Sequence, residues 1–205
     1  YQIQSLFQKT FKRKLSLNTW TWVFKKNPKG KNKILLVFYK KNLIGQCAAV
    51  KMRFKLSQRI KVFFRIQNFM VDINFRGKKI ASNALKNLTA NIIKKKNYII
   101  TFPNSNSIRA FIKNGYSKFN LYTYEKTIKK KYKIQKNIFF KNSSQIKFFK
   151  EDINLINESL GDFQIFNLRD INYLNWRYSR NYNNYKISRI FQNKKLIGIA
   201  VIKFY

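Results

Sequence analysis

Apolar residues recur with two different spacings in the first third of the chain. Between residues 4 and 24 they fall three to four positions apart, which predicts one or two helices. Two runs of β-branched and aromatic residues follow at 34–39 and 43–54, and the polar link Lys40-Lys41-Asn42 between them indicates a hairpin. A third run of this kind, at 63–73, predicts a further strand.

The pattern from residue 74 to residue 128 predicts helices that alternate with strands. A polar loop at 74–79 precedes apolar residues spaced three to four apart up to Ile93, so we expect an amphipathic helix there. A short strand at 98–102 follows, and a second helix ends at Asn114-Gly115, where glycine provides a C-terminal cap. Residues 116–128 are expected to form another strand.

After the lysine run 129–131 the pattern partly begins again, so this run is the predicted domain boundary. Helical spacing at 148–160 and 170–178 precedes a predicted hairpin at 185–204. The turns of the two predicted hairpins resemble each other in sequence: Lys40-Lys41-Asn42-Leu43-Ile44-Gly45 and Lys194-Lys195-Leu196-Ile197-Gly198. We interpret the similarity as a repeat of one fold.

Charge is the strongest compositional feature. The chain has 44 Lys and Arg against 7 Asp and Glu, a net charge of +37, and such an excess usually indicates nucleic acid or an anionic membrane as a partner. Asn, Ile and Lys are frequent along the whole length, and their AT-rich codons offer a second explanation that needs no partner. The even spread of the charge favours the second explanation.

The rare residue types exclude several chemistries. Cys47 is the only cysteine and there is no histidine, which excludes a disulfide within one chain, a histidine base and the usual zinc ligands. The lack of these ligands leads us to expect no metal. No apolar run approaches the roughly 20 residues of a membrane span, so we expect a cytoplasmic protein. The chain starts at Tyr1 and stops at Tyr205 directly after a strand-like run, as a piece of a longer reading frame would.

The loop at 73–81 has the properties of an anion site. It lies between a predicted strand and a predicted helix, where backbone N–H groups face outward at the positive end of the helix. Arg76, Lys78 and Lys79 add positive charge, while Gly77 and Ala81 are small enough for phosphate oxygens to approach the backbone. A pyrophosphate such as that of acetyl-CoA would fit this chemistry.

The same loop carries a family resemblance. The segment from Val71 to Ala81 resembles the acyl-CoA motif of the GNAT superfamily, Val-x-Pro-x-Tyr-Arg-Gly-x-Gly-Ile-Gly/Ala, with Ile73 in the proline position and Lys79 in the central glycine position. Residues 102–107, together with 111–116, resemble the strand and helix that follow in this family. The segment 17–22 together with Asn27-Pro28-Lys29-Gly30, and the later segment 170–178, are similar to motifs of a tandem-GNAT subgroup.

The resemblance implies a fold and a domain division. It implies a mixed α/β (α+β) GNAT-like domain at 1–128, with a central, mostly antiparallel sheet flanked by helices. A partial second GNAT-like unit is implied at 129–205. In the first domain the strand that ends at Asp72 should diverge from the strand at Tyr98 and leave a cleft.

The resemblance also implies site residues for an acyl-CoA co-substrate. Backbone N–H groups near Met70 and Val71 would polarise the thioester carbonyl, and the phosphate loop would comprise Arg76, Gly77, Lys78, Lys79, Ile80 and Ala81. Asn104 and Ser107 would face CoA at the start of the second helix. For proton transfer, Asp72 is the candidate base by position. Phe111 stands where many members have a tyrosine, so Tyr116 is the candidate acid, with Tyr122 and Tyr124 as alternatives.

The predicted function is therefore N-acyl transfer, in particular N-acetyl transfer, from acyl-CoA to an amine of a small molecule or sugar nucleotide. Two alternatives stay open. One is a basic module that binds nucleic acid through its charge. The other is an aminoacyl-tRNA-dependent transferase on a GNAT-like scaffold, which would give the basic surface a purpose.

Overall fold

The computed structural model describes residues 1–119, 136–178 and 184–203. The chain divides into two compact units. The first comprises Tyr1–Phe119 together with Ile165–Leu168, and the other described residues belong to the second. The predicted boundary after residue 128 lies outside the described residues, so a division at that point stays a prediction.

The first unit begins with two helices, α1 (Gln2–Phe11) and α2 (Leu17–Phe24). The break between them follows from local chemistry. Lys12 adopts the left-handed conformation, with φ of 56°, and ends α1. Ser16 then caps α2, because its hydroxyl accepts a hydrogen bond from the Thr19 N–H at 3.1 Å.

The first unit has a mixed sheet. The strands β1 (Lys33–Tyr39), β2 (Asn42–Leu56) and β3 (Arg59–Val71) are consecutive antiparallel neighbours. The next strand, β4 (Tyr98–Thr101), runs parallel to β3. A mixed α/β fold with a mostly antiparallel sheet is therefore confirmed.

Helices cover both faces of this sheet. Cys47 and Ala49 belong to one buried cluster with residues of α3 (Ile80–Ile93), whereas Ala48 belongs to another with Phe24 of α2. Side chains alternate between the faces of a strand, so α2 and α3 lie on opposite sides of β2. A fourth helix, α4 (Ser105–Lys113), adds Phe111 to the α3 cluster.

Two expectations about strand ends need correction. β3 stops at Val71, two residues earlier than predicted, because Asp72 begins a 3₁₀ turn (Ile73–Phe75) and accepts a hydrogen bond from the Asn74 N–H at 3.1 Å. The strand predicted at 116–128 does not begin at Tyr116, since residues 116–119 are irregular. The rest of that predicted strand lies outside the described residues.

The second unit begins with β5 (Ile138–Ser143) and α5 (Lys150–Ser159). The chain then adds β6 (Ile165–Asn167) to the sheet of the first unit, antiparallel to the end of β2. Neither β5 nor β6 was expected from the pattern, because β6 has only three residues and β5 ends in polar ones. Within the described ranges, no helix is long and apolar enough to cross a membrane.

The second unit is completed by α6 (Ile171–Tyr178), β7 (Tyr185–Gln192) and β8 (Lys195–Lys203). Its antiparallel sheet has the order β5-β7-β8. Phe148, Leu174 and Ile187 form the centre of its buried core.

The hairpins β1–β2 and β7–β8 share one register. In the first, Val37 lies opposite Gly45, and the pairing register shifts between Val37 and Phe38. In the second, Ile190 lies opposite Gly198 and is also followed by an irregularity. A Cβ on either glycine would lie 3.3 or 3.2 Å from the opposing side chain, so both positions favour glycine. The two hairpins are therefore alike, while the repeat of a whole fold stays a prediction.

A buried ion pair joins α5 to the sheet of the second unit. Asp152 is 1% exposed, and both of its carboxylate oxygens accept hydrogen bonds from Arg189, at 2.8 Å from Nε and 2.6 Å from Nη2. Nη2 also donates to the Lys147 carbonyl at 2.6 Å. The hydrogen bond to Asp152 raises the pKa of Arg189 above its ordinary value.

We expect Asp152→Asn to destabilise the chain strongly. The change leaves a largely buried guanidinium without its counter-charge, which costs about 3 kcal/mol in the free energy of unfolding. Urea unfolding measures this loss. Glu151→Gln is the matched control, because it removes the same charge from the neighbouring exposed position and should change stability by less than about 0.5 kcal/mol. Equal effects of the two variants would contradict the role of the pair.

Candidate active site

A cavity opens where β3 and β4 part. The two strands pair only from Phe63 with Tyr98 to Ile66 with Thr101, after which β3 continues to Val71 without its neighbour. The space beyond has a volume of about 420 Å³, within the usual range of ligand sites. Its lining comes from both strands, α4 and the end of α1: Phe11, Arg65, Ile66, Gln67, Asn68, Phe69, Thr101, Phe102, Pro103, Asn104, Ser107 and Phe111.

The cavity wall contains a β-bulge in β3. Gln46 pairs with Met70 and Ala48 pairs with Gln67, so Asn68 and Phe69 together oppose Cys47 and have no register partner in β2. Asn68 has φ of 51°, a conformation that asparagine tolerates better than most residues. A bulge removes backbone groups from regular strand pairing and often lies beside an active site.

Asn104 and Ser107 lie together on the opposite wall. Asn104 is the N-cap of α4, and its side-chain oxygen accepts hydrogen bonds from the Ser107 N–H at 3.1 Å and the Ser107 hydroxyl at 2.9 Å. Both residues line the cavity. The sequence prediction therefore names two residues that border this space.

The predicted phosphate loop joins β3 to α3 and presents backbone N–H groups. Gly77 has φ of 80°, and a Cβ there would meet nothing within 4 Å, so the loop surface is open at this point. No side chain caps α3, and its first main-chain bond runs from the Asn83 N–H to the Lys79 carbonyl. The N–H groups of Ile80 and Ala81 precede that bond and have no acceptor within the helix.

Three cationic residues precede these N–H groups in the loop. Arg76, Lys78 and Lys79 are all exposed. The Arg76 Nε donates to the Val71 carbonyl at 3.3 Å, which ties the loop to the end of β3. Lys79 has φ of 60° and so takes the left-handed conformation that its glycine-like position in the motif requires. The loop is suited to bind an anion.

Met70 and Val71 lie at the end of β3 but do not border the cavity. Both have register partners in β2, Gln46 and Gly45. Met70 is 2% exposed and belongs to a buried cluster with Leu6 of α1. The two residues of this region that have no register partner in β2 are Asn68 and Phe69, which precede Met70 and Val71 in the strand.

Asp72 borders a different cavity. Its carboxylate caps the 3₁₀ turn and lies 3.9 Å from the Lys9 Nζ. The space beside it, of about 390 Å³, is lined by α1, the start of β2 and the turn itself. The structure thus keeps Asp72 apart from the cavity that contains Asn104.

Tyr116 is held behind the cavity wall. Its hydroxyl forms a hydrogen bond of 2.6 Å with the Thr89 hydroxyl of α3, and burial raises its pKa above the ordinary tyrosine value. Its ring packs edge-on against Phe111, with centroids 5.1 Å apart. Phe111 borders the cavity and Tyr116 does not. Tyr122 and Tyr124 lie outside the described residues.

Sequence reasoning missed the bulge and the buried residue behind it. Gln46 is 1% exposed, and its Nε2 donates to the Asn68 carbonyl at 3.4 Å. The one available signal was an asparagine inside a strand, which is disfavoured there and tolerates the left-handed conformation.

In the described part of the chain, no group of three or more His, Cys, Asp or Glu could hold a metal.

Comparison with known proteins gives a match in fold. No protein-family model matches the chain, and no curated protein matches it in sequence. A probable N-acyltransferase from Enterococcus faecalis superposes with a TM-score of 0.68 over 98% of this chain and 51% of its own, at 12% identity. An acetyltransferase from Trypanosoma brucei superposes with a TM-score of 0.50 over 62% of this chain and 91% of its own, at 14% identity.

These similarities show that the chain has the fold of GNAT-type acetyltransferases, as the resemblance implied. The chain spans about half the length of the Enterococcus protein. Identities this low establish architecture, and the reaction has to be argued from the site.

We expect Cys47 to be unreactive in the native protein. It is fully buried opposite the bulge, and burial raises the pKa of its thiol to about 12, so almost no thiolate forms near neutral pH. Ellman's reagent should label no thiol in native protein and one per chain in denaturant. Rapid labelling of the native protein would contradict this packing. The expected result also leaves thiol-release assays free of background from the enzyme.

Proposed function

We propose that the chain is an acyl-CoA-dependent N-acyltransferase that moves an acyl group, in particular acetyl, to an amine of a small molecule or sugar nucleotide. The observation that carries the proposal is the cavity at the divergence of β3 and β4, bordered by a strand bulge on one side and Asn104 on the other. The GNAT-type fold supports the reaction class.

The donor is proposed to bind along the β3–α3 loop and the start of α4. The N–H groups from Gly77 to Ala81 would hold the pyrophosphate, with Arg76, Lys78 and Lys79 adding charge. Their fit is supported by the open space at Gly77 and the uncapped helix end. Asn104 and Ser107 would border the arm that carries the thioester into the cavity.

The reaction needs an amine nitrogen to attack the thioester carbon while the carbon–sulfur bond breaks. The amine loses a proton and the departing thiolate gains one. A backbone N–H at the bulge would stabilise the negative charge on the carbonyl oxygen. We assign this role to the region of Asn68 and Phe69, because these residues border the cavity and have no partner in β2.

Asp72 and Tyr116 receive supporting roles in this proposal. Asp72 is engaged in capping the 3₁₀ turn and lies next to Lys9. Tyr116 stays protonated near neutral pH because its pKa is raised, but its hydroxyl is directed to Thr89. We therefore propose that Tyr116 stabilises the cavity wall through Phe111 and that Asp72 stabilises the 3₁₀ turn after β3.

Ligand binding and turnover test the proposal separately. A ligand that binds only the folded state raises the midpoint of thermal unfolding, so acetyl-CoA and CoA should both do so. Thiol release from acetyl-CoA should then depend on an added amine, measured over a panel of small amines and amino sugars. Transfer from charged tRNA without any effect of acetyl-CoA would instead favour the tRNA-dependent alternative.

Substitutions in the loop should weaken CoA binding in a set order. Gly77→Asp places a negative charge beside the pyrophosphate and should abolish binding by isothermal titration calorimetry. Gly77→Asn is its control, since asparagine has the same shape without the charge and tolerates positive φ. Arg76→Ala should weaken binding about tenfold, the equivalent of one charge-assisted contact in an exposed site. Unchanged affinity in all three variants would show that CoA binds elsewhere.

Lys79→Gly separates charge from backbone conformation. We expect it to stabilise the protein by about 0.5–1 kcal/mol, because glycine adopts positive φ without strain. We expect CoA affinity to fall severalfold, because one cation leaves the anion site. Thermal unfolding and calorimetry measure the two effects. Tighter CoA binding would show that the lysine side chain obstructs the site.

A further inference from the structure

Gln46 is a buried amide directly behind the bulge of β3. It is 1% exposed, and its Nε2 donates to the Asn68 carbonyl at 3.4 Å. Its strand neighbours Cys47 and Ala48 are fully buried. Gln46 is therefore a polar residue in the interior of the sheet whose one hydrogen bond goes to the irregular part of the neighbouring strand.

That hydrogen bond fixes the direction of one peptide group. The bond between Asn68 and Phe69 is trans, as are the others in the described chain, and in a planar trans peptide the C=O and the following N–H point in opposite directions. Since the Asn68 carbonyl points to Gln46, the Phe69 N–H points away from it. Asn68 and Phe69 both border the cavity.

The other half of the Gln46 amide has no partner. Its Oε1 is buried and accepts no hydrogen bond from any described residue. A buried acceptor without a donor is unfavourable for stability, and an apolar side chain of similar shape would avoid that penalty. The gain from the one hydrogen bond to the Asn68 carbonyl is therefore offset by the unpartnered Oε1, whereas a need to orient the Asn68–Phe69 peptide accounts for glutamine here.

We propose that Gln46 is a positioning residue that aims the Phe69 N–H at the carbonyl oxygen of the acyl donor. The inference rests on the proposed function, because it assigns a purpose to the bulge in acyl transfer. Gln46 itself touches neither donor nor acceptor. It acts by holding the Asn68 carbonyl, and its removal lets the peptide plane rotate within the bulge.

Infrared spectroscopy of bound acetyl-CoA labelled with ¹³C at the acetyl carbonyl tests this without any acceptor. A hydrogen bond to the thioester oxygen lowers the carbonyl stretching frequency relative to free acetyl-CoA. We expect the shift in wild-type protein and its loss in Gln46→Met and in Gln46→Leu, which replace the amide with an apolar side chain of similar size. CoA lacks the acetyl carbonyl of the thioester, so the affinity for CoA should be the same in all three proteins.

Stability separates positioning from packing. If Gln46 served only the fold, both variants would lower the midpoint of thermal unfolding. We expect it to change little, since the substitution removes the unpartnered Oε1 together with the donor to the Asn68 carbonyl and the two effects oppose each other, while acyl transfer at saturating substrates falls at least tenfold. Asn32→Ala is the control. The Asn32 side chain donates hydrogen bonds to the carbonyls of Val23 and Phe24, away from the bulge. Loss of this side chain should lower the midpoint of thermal unfolding and leave the infrared shift intact.

The possible results distinguish failure of the proposed function from failure of the role of Gln46. A wild-type protein that binds no acetyl-CoA overturns the proposed function and this inference with it. Binding without a carbonyl shift in the wild type overturns the inference alone. A shift that persists in Gln46→Met and Gln46→Leu does the same, because the N–H would then be aimed without Gln46.

Discussion

The first unit depends on one constraint, which is that β3 must serve two different neighbours along its length. Its first part pairs with β2 on one edge and β4 on the other. Past Ile66 the second partner is lost, and the bulge at Asn68 and Phe69 interrupts the first. Backbone groups released from pairing must find other partners, because buried polar groups without partners are costly. In this fold the Asn68 carbonyl accepts a hydrogen bond from Gln46, and Asn68 and Phe69 border the cavity.

The excess of positive charge on the chain affects which ligands approach this cavity. With 44 cationic residues and 7 acidic ones, the chain attracts anions, and at 0.1 M salt this attraction is largely screened beyond about 10 Å. The loop at Arg76 differs from the general surface, because it leads into α3, whose first N–H groups are fixed in direction and have no side-chain cap. Directed N–H groups could therefore give the proposed donor site a selectivity that charge alone could not.

Periodic features of the fold followed from the sequence, and irregular ones did not. The amphipathic spacing that ends at Ile93 predicts α3, and the hairpins follow from alternating runs around polar turns. The bulge depends on how two strands match in space, which one strand's sequence does not encode. β6 is held by pairing with a segment distant in the chain. For the site, the loop and Asn104 followed from a motif, whereas Gln46 is an ordinary strand residue until the bulge is seen.

The late arrival of β6 has a consequence for synthesis on the ribosome. The edge of the first unit's sheet beside Phe54–Leu56 is covered by Ile165–Asn167, so this edge stays open while the intervening residues are made. Open edges invite pairing with other chains, and contacts between distant residues form slowly. If the sheet forms before residue 165 is made, its edge at Phe54–Leu56 stays unprotected until β6 pairs with it. Translation speed over this interval would set how long a chaperone has to shield it.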